Sequence, residues 1–279
     1  MKNKIYNTAP LPFVGQKRNF IKHFKNELQY KEATLFVDLF GGSGLLSRAA
    51  KDVHPTAKVI YNDFDNYRKR LKSIPKTNKI LQDLRIITHG LERKKKIPAD
   101  IKEQIIERIA QEKGYIDFIT LSSSLLFSMK YVASLDELRK ETLYCKIRIT
   151  DYPIADDYLK GLDVVSLDYK VLFERYKHKK DVVFLIDPPY LSTDNSTYTS
   201  GEYWKLKDYL DILKVLKNRN YFYFTSNKSS IIELCEWIAD YTSGINPFDG
   251  AEKKEYKASV NHNATYTDIM LFKWTQTTT

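Results

Sequence analysis

The stretch that sets the fold reads Val182-Val183-Phe184-Leu185-Ile186-Asp187-Pro188-Pro189-Tyr190. Five consecutive apolar residues predict a strand that is buried on both faces, as in a parallel sheet. Proline has no N–H and a fixed φ, so the proline pair ends the strand and stiffens the turn beyond it. A carboxylate, a carbonyl and an aromatic ring therefore project from the carboxyl end of a strand. Open α/β sheets bind their ligands at this edge.

This turn is suited to an amino group on a planar ring. Its carboxylate and carbonyl can both accept hydrogen bonds from an NH₂ group, while the tyrosine covers the ring. The turn therefore predicts a site for an exocyclic amine, such as that of a nucleobase. A strand that ends in prolines is also a common structural feature, so the rest of the chain has to decide between the two interpretations.

A βαβ unit is predicted near the start of the chain. Thr34–Leu39 has a buried-strand pattern, and Phe40-Gly41-Gly42-Ser43-Gly44 forms a glycine turn before the helical run Leu45–Lys51. Lys58–Tyr61 is a second strand that ends at Asn62-Asp63. The order of strand, glycine turn, helix and strand predicts a right-handed parallel crossover.

Further elements towards the other end complete an α/β fold. Val164–Asp168, Tyr221–Thr225 and Thr267–Trp274 are predicted strands, and Tyr203–Leu216 is a helix with apolar residues at helical spacing. We therefore predict a Rossmann-like α/β fold, with a mostly parallel sheet and helices on both faces.

Residues 76–162 differ in character, because they are charged, mostly helical in pattern and poor in strands. Ile101–Lys113 is a predicted amphipathic helix, and Leu121–Met129 is a predicted buried helix. We predict a helical insertion at 76–162 with a small core of its own. Residues 1–75 and 163–279 then form one discontinuous catalytic domain.

The glycine turn alone identifies no ligand. The third glycine of the dinucleotide fingerprint GxGxxG is absent, since Leu46 or Ser47 would have to take its place, and no GxxxxGK[ST] phosphate loop is present. Asp63 or Asp65, after the second strand, is placed to accept ribose hydroxyls, although each could equally be a solvated loop residue.

Composition favours a globular protein with a polyanionic partner. The 279 residues carry 45 Lys and Arg against 35 Asp and Glu, a net charge of +10. Cys145 and Cys235 show no metal-ligand spacing, so neither a metal site nor a disulfide is predicted. No secretory leader and no apolar run of 18 residues is present, which predicts a soluble cytoplasmic protein with no membrane partner.

Taken in order, four motifs resemble those of the Dam-like N6-adenine DNA methyltransferases of the alpha group. They are Pro10-Leu11-Pro12-Phe13-Val14-Gly15-Gln16-Lys17-Arg18, Asp38–Gly44, Asn62–Asp65 and Asp187–Tyr190. The resemblance covers about three fifths of the chain, roughly residues 10–65 and 163–274. It implies the Rossmann-like methyltransferase fold, S-adenosylmethionine as cofactor and double-stranded DNA as substrate.

The resemblance also implies a set of cofactor-binding residues. Relatives often carry two adjacent glycines before the lysine, whereas this chain has Gln16 there. The methionine part of the cofactor, its ribose and its adenine would contact Phe13, Lys17, Phe40, Gly41, Gly44, Asp63 or Asp65, Asp168 and Asp187.

The implied mechanism uses the turn after the buried strand. Asp187 and the Pro188 carbonyl would accept both hydrogens of the adenine amine, so that its nitrogen can become tetrahedral as charge develops. The base must leave the duplex, and Tyr190 would stack on it. Pro189 and Asn227 are candidates for the wall of the base pocket.

The insertion is the predicted target-recognition domain. Its basic run, Arg93, Lys94, Lys95 and Lys96, would meet DNA phosphates, although such a run is also typical of a solvated surface. Asp194–Tyr203 is predicted to be a loop that becomes ordered when DNA binds.

Two alternatives remain open from the sequence. The turn can bind an exocyclic amine in general, so the substrate could also be cytosine N4 or RNA. A catalytically silent DNA-binding relative is the second alternative, and the intact Asp187 argues against it. Relatives are often monomers, no pattern demands a dimer interface, and the sequence carries no signal for a cognate restriction enzyme.

Overall fold

The computed structural model describes residues 5–29, 33–127, 130–179, 181–191, 204–242, 244–261 and 264–275. Two compact units are present. The first contains Met1–Thr8, Lys17–Asp65 and Leu159–Thr279, and the second contains Ala9–Gln16 and Asn66–Tyr158. The functional division of the chain into a catalytic and a target-recognition domain stays a prediction.

The first unit is built on a seven-stranded sheet with the order β3-β2-β1-β4-β5-β7-β6. Its strands are β1 (Leu35–Asp38), β2 (Lys58–Asn62), β3 (Asp163–Val165), β4 (Val182–Ile186), β5 (Asn220–Ser226), β6 (Glu252–Asn261) and β7 (Ala264–Lys273). Strands β1 to β5 are parallel to one another, and β7 is antiparallel to both β5 and β6. The predicted mostly parallel α/β sheet is confirmed.

Strand β4 lies inside the sheet because all five of its residues are apolar and buried. It pairs with β1 on one side and β5 on the other. Val183 and Leu185 enter one hydrophobic core, while the alternate residues Val182, Phe184 and Ile186 enter the core on the opposite face. This two-sided burial explains the unbroken apolar run.

Helices cover both faces of this sheet. In chain order the helices of the protein are α1 (Ile21–Gln29), α2 (Leu45–Val53), α3 (Tyr67–Lys72), α4 (Ile74–Ile87), α5 (Ala99–Ala110), α6 (Phe118–Leu125), α7 (Leu135–Lys140), α8 (Tyr169–Tyr176), α9 (Leu206–Leu216) and α10 (Ile231–Tyr241). Helices α1 and α2 pack into the core that contains Val183, whereas α8, α9 and α10 pack into the core that contains Phe184.

Two strands differ from the sequence prediction. Strand β6 was not predicted, because its first half, Glu252–Lys257, is charged and exposed at the edge of the sheet and lacks the apolar alternation of a half-buried strand. Strand β3 ends at Val165 rather than at Asp168.

The second unit is helical over most of its length and is organised around a buried cation. The guanidinium of Arg70 in α3 lies 3.1 Å from the carboxylate of Asp117, and both side chains are at most 2% exposed. Arg70 also donates to the Thr120 hydroxyl and, at 2.7 Å, to the carbonyl of Pro12. The segment 9–16 is therefore tied to helices that lie some sixty residues further along the chain.

Helix α5 confirms the amphipathic helix predicted over Ile101–Lys113 to within a few residues. Helix α6 covers the first part of the buried helix predicted over Leu121–Met129 but ends at Leu125, where Leu126 turns to an extended conformation.

Arg70→Met should unfold this unit more easily than a surface change does, because it leaves the Asp117 carboxylate buried without its partner. We expect a loss of about 3–5 kcal/mol in the free energy of unfolding, measured by denaturant titration. The control is Arg108→Met, which breaks ion pairs with the more exposed Asp83 and with Glu112. It should cost about 1 kcal/mol or less, and equal losses in both variants would refute the anchoring role of Arg70.

Candidate active site at the carboxyl ends of the central strands

A buried ion pair lies where β4 ends. The Lys17 ammonium is 2.6 Å from Oδ2 of Asp187, and the two side chains are 6% and 18% exposed. Lys17 also lies 5.3 Å from the centre of the Tyr190 ring. Two motifs that are about 170 residues apart in the sequence therefore meet in one site, and Pro188, the next residue after Asp187, is buried.

The pair sets the charge of Asp187. Burial raises the pKa of Asp187 above its ordinary value, whereas the Lys17 charge and hydrogen bond lower it. The lysine thus opposes the cost of keeping a carboxylate charged in a buried place. An ionised Asp187 is a hydrogen-bond acceptor at both oxygens, which a protonated carboxyl is not.

A second carboxylate, Asp38, lies at the end of the neighbouring strand β1 and is fully buried. Its Oδ2 accepts a hydrogen bond of 2.6 Å from the Ser47 hydroxyl at the start of α2, while its Oδ1 has no hydrogen-bond partner among the described residues. Burial is the largest cause that raises the pKa of Asp38 to about 7, and repulsion from Asp187 adds to it.

A third carboxylate comes from the antiparallel strand β7, where Asp268 is paired in register with Ser226. Burial raises the pKa of Asp268 to about 6; the Lys17 charge lowers it and the Asp187 charge raises it further. The sequence prediction missed both Asp38 and Asp268 as site residues. Asp38 could have been found as the acid that precedes the glycine turn, but Asp268 joins the site only through the pairing of β7.

The glycine turn follows β1 as predicted and has two steric requirements. A Cβ on Gly41 would collide with the ring of Tyr61 and lie 2.7 Å from the Asn62 carbonyl oxygen. Gly44 has φ +72° as it caps α2, a conformation that costs glycine little. Phe40 packs its ring against Tyr169, at 4.9 Å between centres.

The two candidate ribose-binding acids differ in their surroundings. Asp63 is buried, and its Oδ1 lies 3.1 Å from the Tyr61 hydroxyl, which is also 2.7 Å from the Gly42 carbonyl oxygen. The Tyr61 hydroxyl has one hydrogen and donates it to one of these two acceptors at a time. Its oxygen therefore lies between Asp63 and the glycine turn, within reach of both. Asp65 is half-buried.

Three predicted residues have local contacts that the sequence did not reveal. Asp168, predicted at the end of a strand, instead caps α8, where its carboxylate accepts from the Lys170 N–H. Asn227, the residue after β5, exchanges two hydrogen bonds with Thr267 of β7. Phe13 belongs to the second unit and packs edge-on against Tyr67. Their functional roles stay predictions.

The basic run lies in the second unit and is exposed. Its members are not equivalent, because the Arg93 guanidinium donates to the Ile147 carbonyl and Lys95 pairs with Glu92 at 3.8 Å. The predicted loop Asp194–Tyr203 lies outside the described residues.

The sheet order, the glycine turn after β1, the acid after β2 and the Asp-Pro-Pro-Tyr turn after β4 define a Rossmann-like protein of the methyltransferase class. A model of the D12 class N6 adenine-specific DNA methyltransferase family matches residues 13–246. A Haemophilus influenzae protein named "Putative methyltransferase" is 38% identical over 278 residues, which cover 97% of this chain and 94% of that protein. The chain belongs to the D12 class N6 adenine-specific DNA methyltransferase family.

Two further findings concern membrane-spanning helices and metal-binding groups. Across the part of the chain that the structure describes, every helix is too short or too polar to cross a membrane. In the same ranges, His, Cys, Asp and Glu side chains form no group of three or more that could hold a metal ion.

Asp38→Asn should stabilise the protein at high pH. The raised pKa of Asp38 means that the folded protein holds this proton more tightly than the unfolded chain does. The contribution of the protonated Asp38 carboxyl group to the free energy of unfolding is fully present below about pH 4. It decreases as the pH rises and is lost above about pH 7. We therefore expect the thermal midpoint of the variant, relative to wild type, to increase from pH 4.5 to about 7 and to level off at higher pH.

The control for this experiment is Asp240→Asn, which changes an exposed carboxyl group on α10. Circular dichroism at several pH values gives the midpoints of both variants. A difference between Asp38→Asn and wild type that stays constant with pH would contradict the assignment.

Proposed function

We propose that this protein transfers a methyl group from S-adenosylmethionine to the N6 nitrogen of an adenine flipped out of double-stranded DNA, at a specific site. The observation that carries the proposal is the Asp187 carboxylate, held by Lys17 on the rigid turn at the end of β4. Membership of the family supports the reaction and the target atom. It also favours adenine in DNA over cytosine N4 or RNA.

The residues around the glycine turn fit a cofactor that carries positive charge and a carboxylate. Three carboxylates, Asp38, Asp187 and Asp268, interact with one another or with Lys17, and Oδ1 of Asp38 lacks a hydrogen-bond partner in the described residues. Such a site favours a cation. When bound, S-adenosylmethionine supplies a methyl group on a positively charged sulfur.

Each part of the cofactor has candidate partners in this chain. Lys17 suits the methionine carboxylate, and Asp63 is the better candidate for the ribose, because Tyr61 links it to the glycine turn. Phe13, Phe40, Gly41, Gly44, Asp65 and Asp168 remain candidates on the strength of the resemblance.

The chain's own groups would act on the target amine through hydrogen bonds. Asp187 accepts one N–H, and the Pro188 carbonyl accepts the other. Both acceptors are fixed before the base arrives, since the prolines limit rotation of the turn. Because the acceptors withdraw the amine hydrogens from the ring plane, the nitrogen lone pair becomes available for the methyl group.

Lys17 has a second role in this proposal. Its ammonium keeps Asp187 ionised despite burial, so the carboxylate can accept a hydrogen bond from the amine and afterwards take the proton that the methylated, positively charged nitrogen releases. Tyr190 stacks on the extrahelical base and recovers part of the unstacking cost, which is a few kcal/mol. Pro189 and Asn227 are the candidates for the pocket wall.

Residues 76–162 are proposed to recognise the DNA. The sequence hypothesis assigned phosphate contacts to Arg93, Lys94, Lys95 and Lys96. Of these, Lys94 and Lys96 are the stronger candidates, because Arg93 and Lys95 have partners within the second unit.

Asp187→Asn should reduce methyl transfer at least about 100-fold, since an amide cannot replace the anionic acceptor. Transfer of radiolabelled methyl groups to duplex DNA measures the rate, and mass analysis of the nucleosides identifies the modified base. Asp240→Asn is the matched control and should retain wild-type activity. Near-normal turnover by Asp187→Asn, or a methylated base other than adenine, would overturn the proposal.

Lys17→Met should move the acid limb of the pH–rate profile to higher pH. Lys17 lowers the pKa of Asp187, so its removal raises that pKa, and a higher pH is needed to ionise the carboxylate. The dependence of kcat/KM on pH measures this shift independently of any loss in the maximal rate. An acid limb at an unchanged pH would show that Lys17 does not act through Asp187.

A further inference from the structure

The second unit presents an aromatic and basic surface that extends beyond the basic run and includes Lys94 from it. Residues 94–97 run antiparallel to residues 143–145, with hydrogen bonds of 2.8 Å from Lys94 N–H to Cys145 O and 2.9 Å from Cys145 N–H to Lys95 O. The pairing fixes the side chains that both segments present to solvent.

Side chains alternate along the second of these segments. Leu143, Cys145 and Ile147 are buried, while Tyr144 and Lys146 between them are partly exposed. Alternation of this kind is characteristic of extended chain with one face on a core. We use the name Tyr144 face for the surface formed by Phe127, Tyr144, Lys94 and Lys146.

Two aromatic rings form the apolar part of the Tyr144 face. The rings of Phe127 and Tyr144 lie 4.1 Å apart between centres, inclined by 60°. Phe127 is nevertheless 51% exposed, so much of this large apolar side chain faces solvent. An exposed aromatic pair is well suited to pack against the face of a nucleobase.

One ammonium group, that of Lys146, lies beside these rings, and the charge of Lys94 acts on it. Lys146 donates to the Leu126 carbonyl at 2.7 Å, and its nitrogen is 5.7 Å from the centre of the Phe127 ring. Burial and the charge of Lys94 both lower the pKa of Lys146. Neither lysine forms an ion pair with a carboxylate in the described residues, so an anion bound here would relieve their repulsion.

The surrounding charges are already paired with one another. Lys130 forms an ion pair of 2.6 Å with Glu141, and Lys95 is paired with Glu92. Among the described residues, Lys94 and Lys146 therefore keep a positive charge that no carboxylate pairs with, as does Lys96, which is bridged to Tyr144 in the antiparallel pairing.

We propose that the Tyr144 face is a contact surface for the DNA duplex, with Lys94 and Lys146 on backbone phosphates and the Phe127–Tyr144 pair against a base or base step. This inference rests on the proposed function, and it adds Phe127, Tyr144 and Lys146 to the residues that bind DNA. Ammonium groups placed beside aromatic rings match the phosphates and bases of a nucleic acid, whereas an apolar protein partner would leave both charges unpaired.

The charges are tested by the double variant Lys94→Met with Lys146→Met. Fluorescence anisotropy of a labelled duplex, repeated at several salt concentrations, measures the dissociation constant. The slope of its logarithm against the logarithm of salt concentration should fall by about 2, because each lost phosphate contact removes about 0.9. Lys207→Met with Lys217→Met changes two exposed lysines of the first unit and should leave the slope unchanged.

The rings are tested by Phe127→Ala, which should weaken duplex binding about tenfold without changing the salt slope. Phe127→Leu keeps apolar packing on Tyr144 but removes the flat ring, and should weaken binding in the same direction if the ring meets a base. Tyr241→Ala, on an exposed aromatic of α10, is the matched control and should bind like wild type. Thermal midpoints near that of wild type show that each variant is folded.

The outcomes separate this inference from the proposed function. If wild type binds and methylates duplex DNA while the lysine and Phe127 variants bind it equally well, the Tyr144 face is not the contact surface. If wild type neither binds duplex DNA nor methylates it, the proposed function fails first. Calorimetric titration with S-adenosylmethionine should give the same affinity for all these variants, and a loss there would indicate a structural effect instead of a lost DNA contact.

Discussion

The candidate site depends on one constraint, which is that a buried carboxylate must remain charged. Asp187 meets it because Lys17 brings an ammonium to 2.6 Å from its Oδ2. Without such a partner, desolvation would favour the protonated acid, which is a poorer hydrogen-bond acceptor. The rigid proline turn and the two-sided burial of β4 then hold this charge at the carboxyl edge of the sheet. The chemistry that we propose needs both the position and the charge.

The site contains more negative than positive charge. Asp38 and Asp268 reach it from β1 and β7, and repulsion from Asp187 contributes to the raised pKa of each. A protein stores unfavourable electrostatic energy in this way at functional sites more often than elsewhere. A positively charged ligand would relieve it, which agrees with the methyl donor that we propose.

The second unit has its own organising charge. Arg70 is almost fully buried and joins α3, Asp117 and the Pro12 carbonyl. The segment that precedes Lys17 in the sequence is thus fixed by helices of a unit that also carries the Tyr144 face. The surface that we propose for DNA binding and the segment that carries Phe13 therefore belong to one compact unit, although they are far apart in the chain.

Local patterns in the sequence determined β4, the glycine turn and α2, because burial on two faces, fixed proline φ and glycine flexibility act over a few residues. Only the tertiary structure decided that Lys17 pairs with Asp187 and that Asp268 lies near them. Both depend on which segments of the chain become neighbours. It also moved Asp168 from a strand end to a helix cap and placed the polar strand β6 at the sheet edge. The outward face of Tyr144 and Lys146 likewise came from pairing with a distant segment. Contacts between distant segments leave little trace in local composition, and for that reason the sequence determined the kind of site while the fold decided its electrostatics.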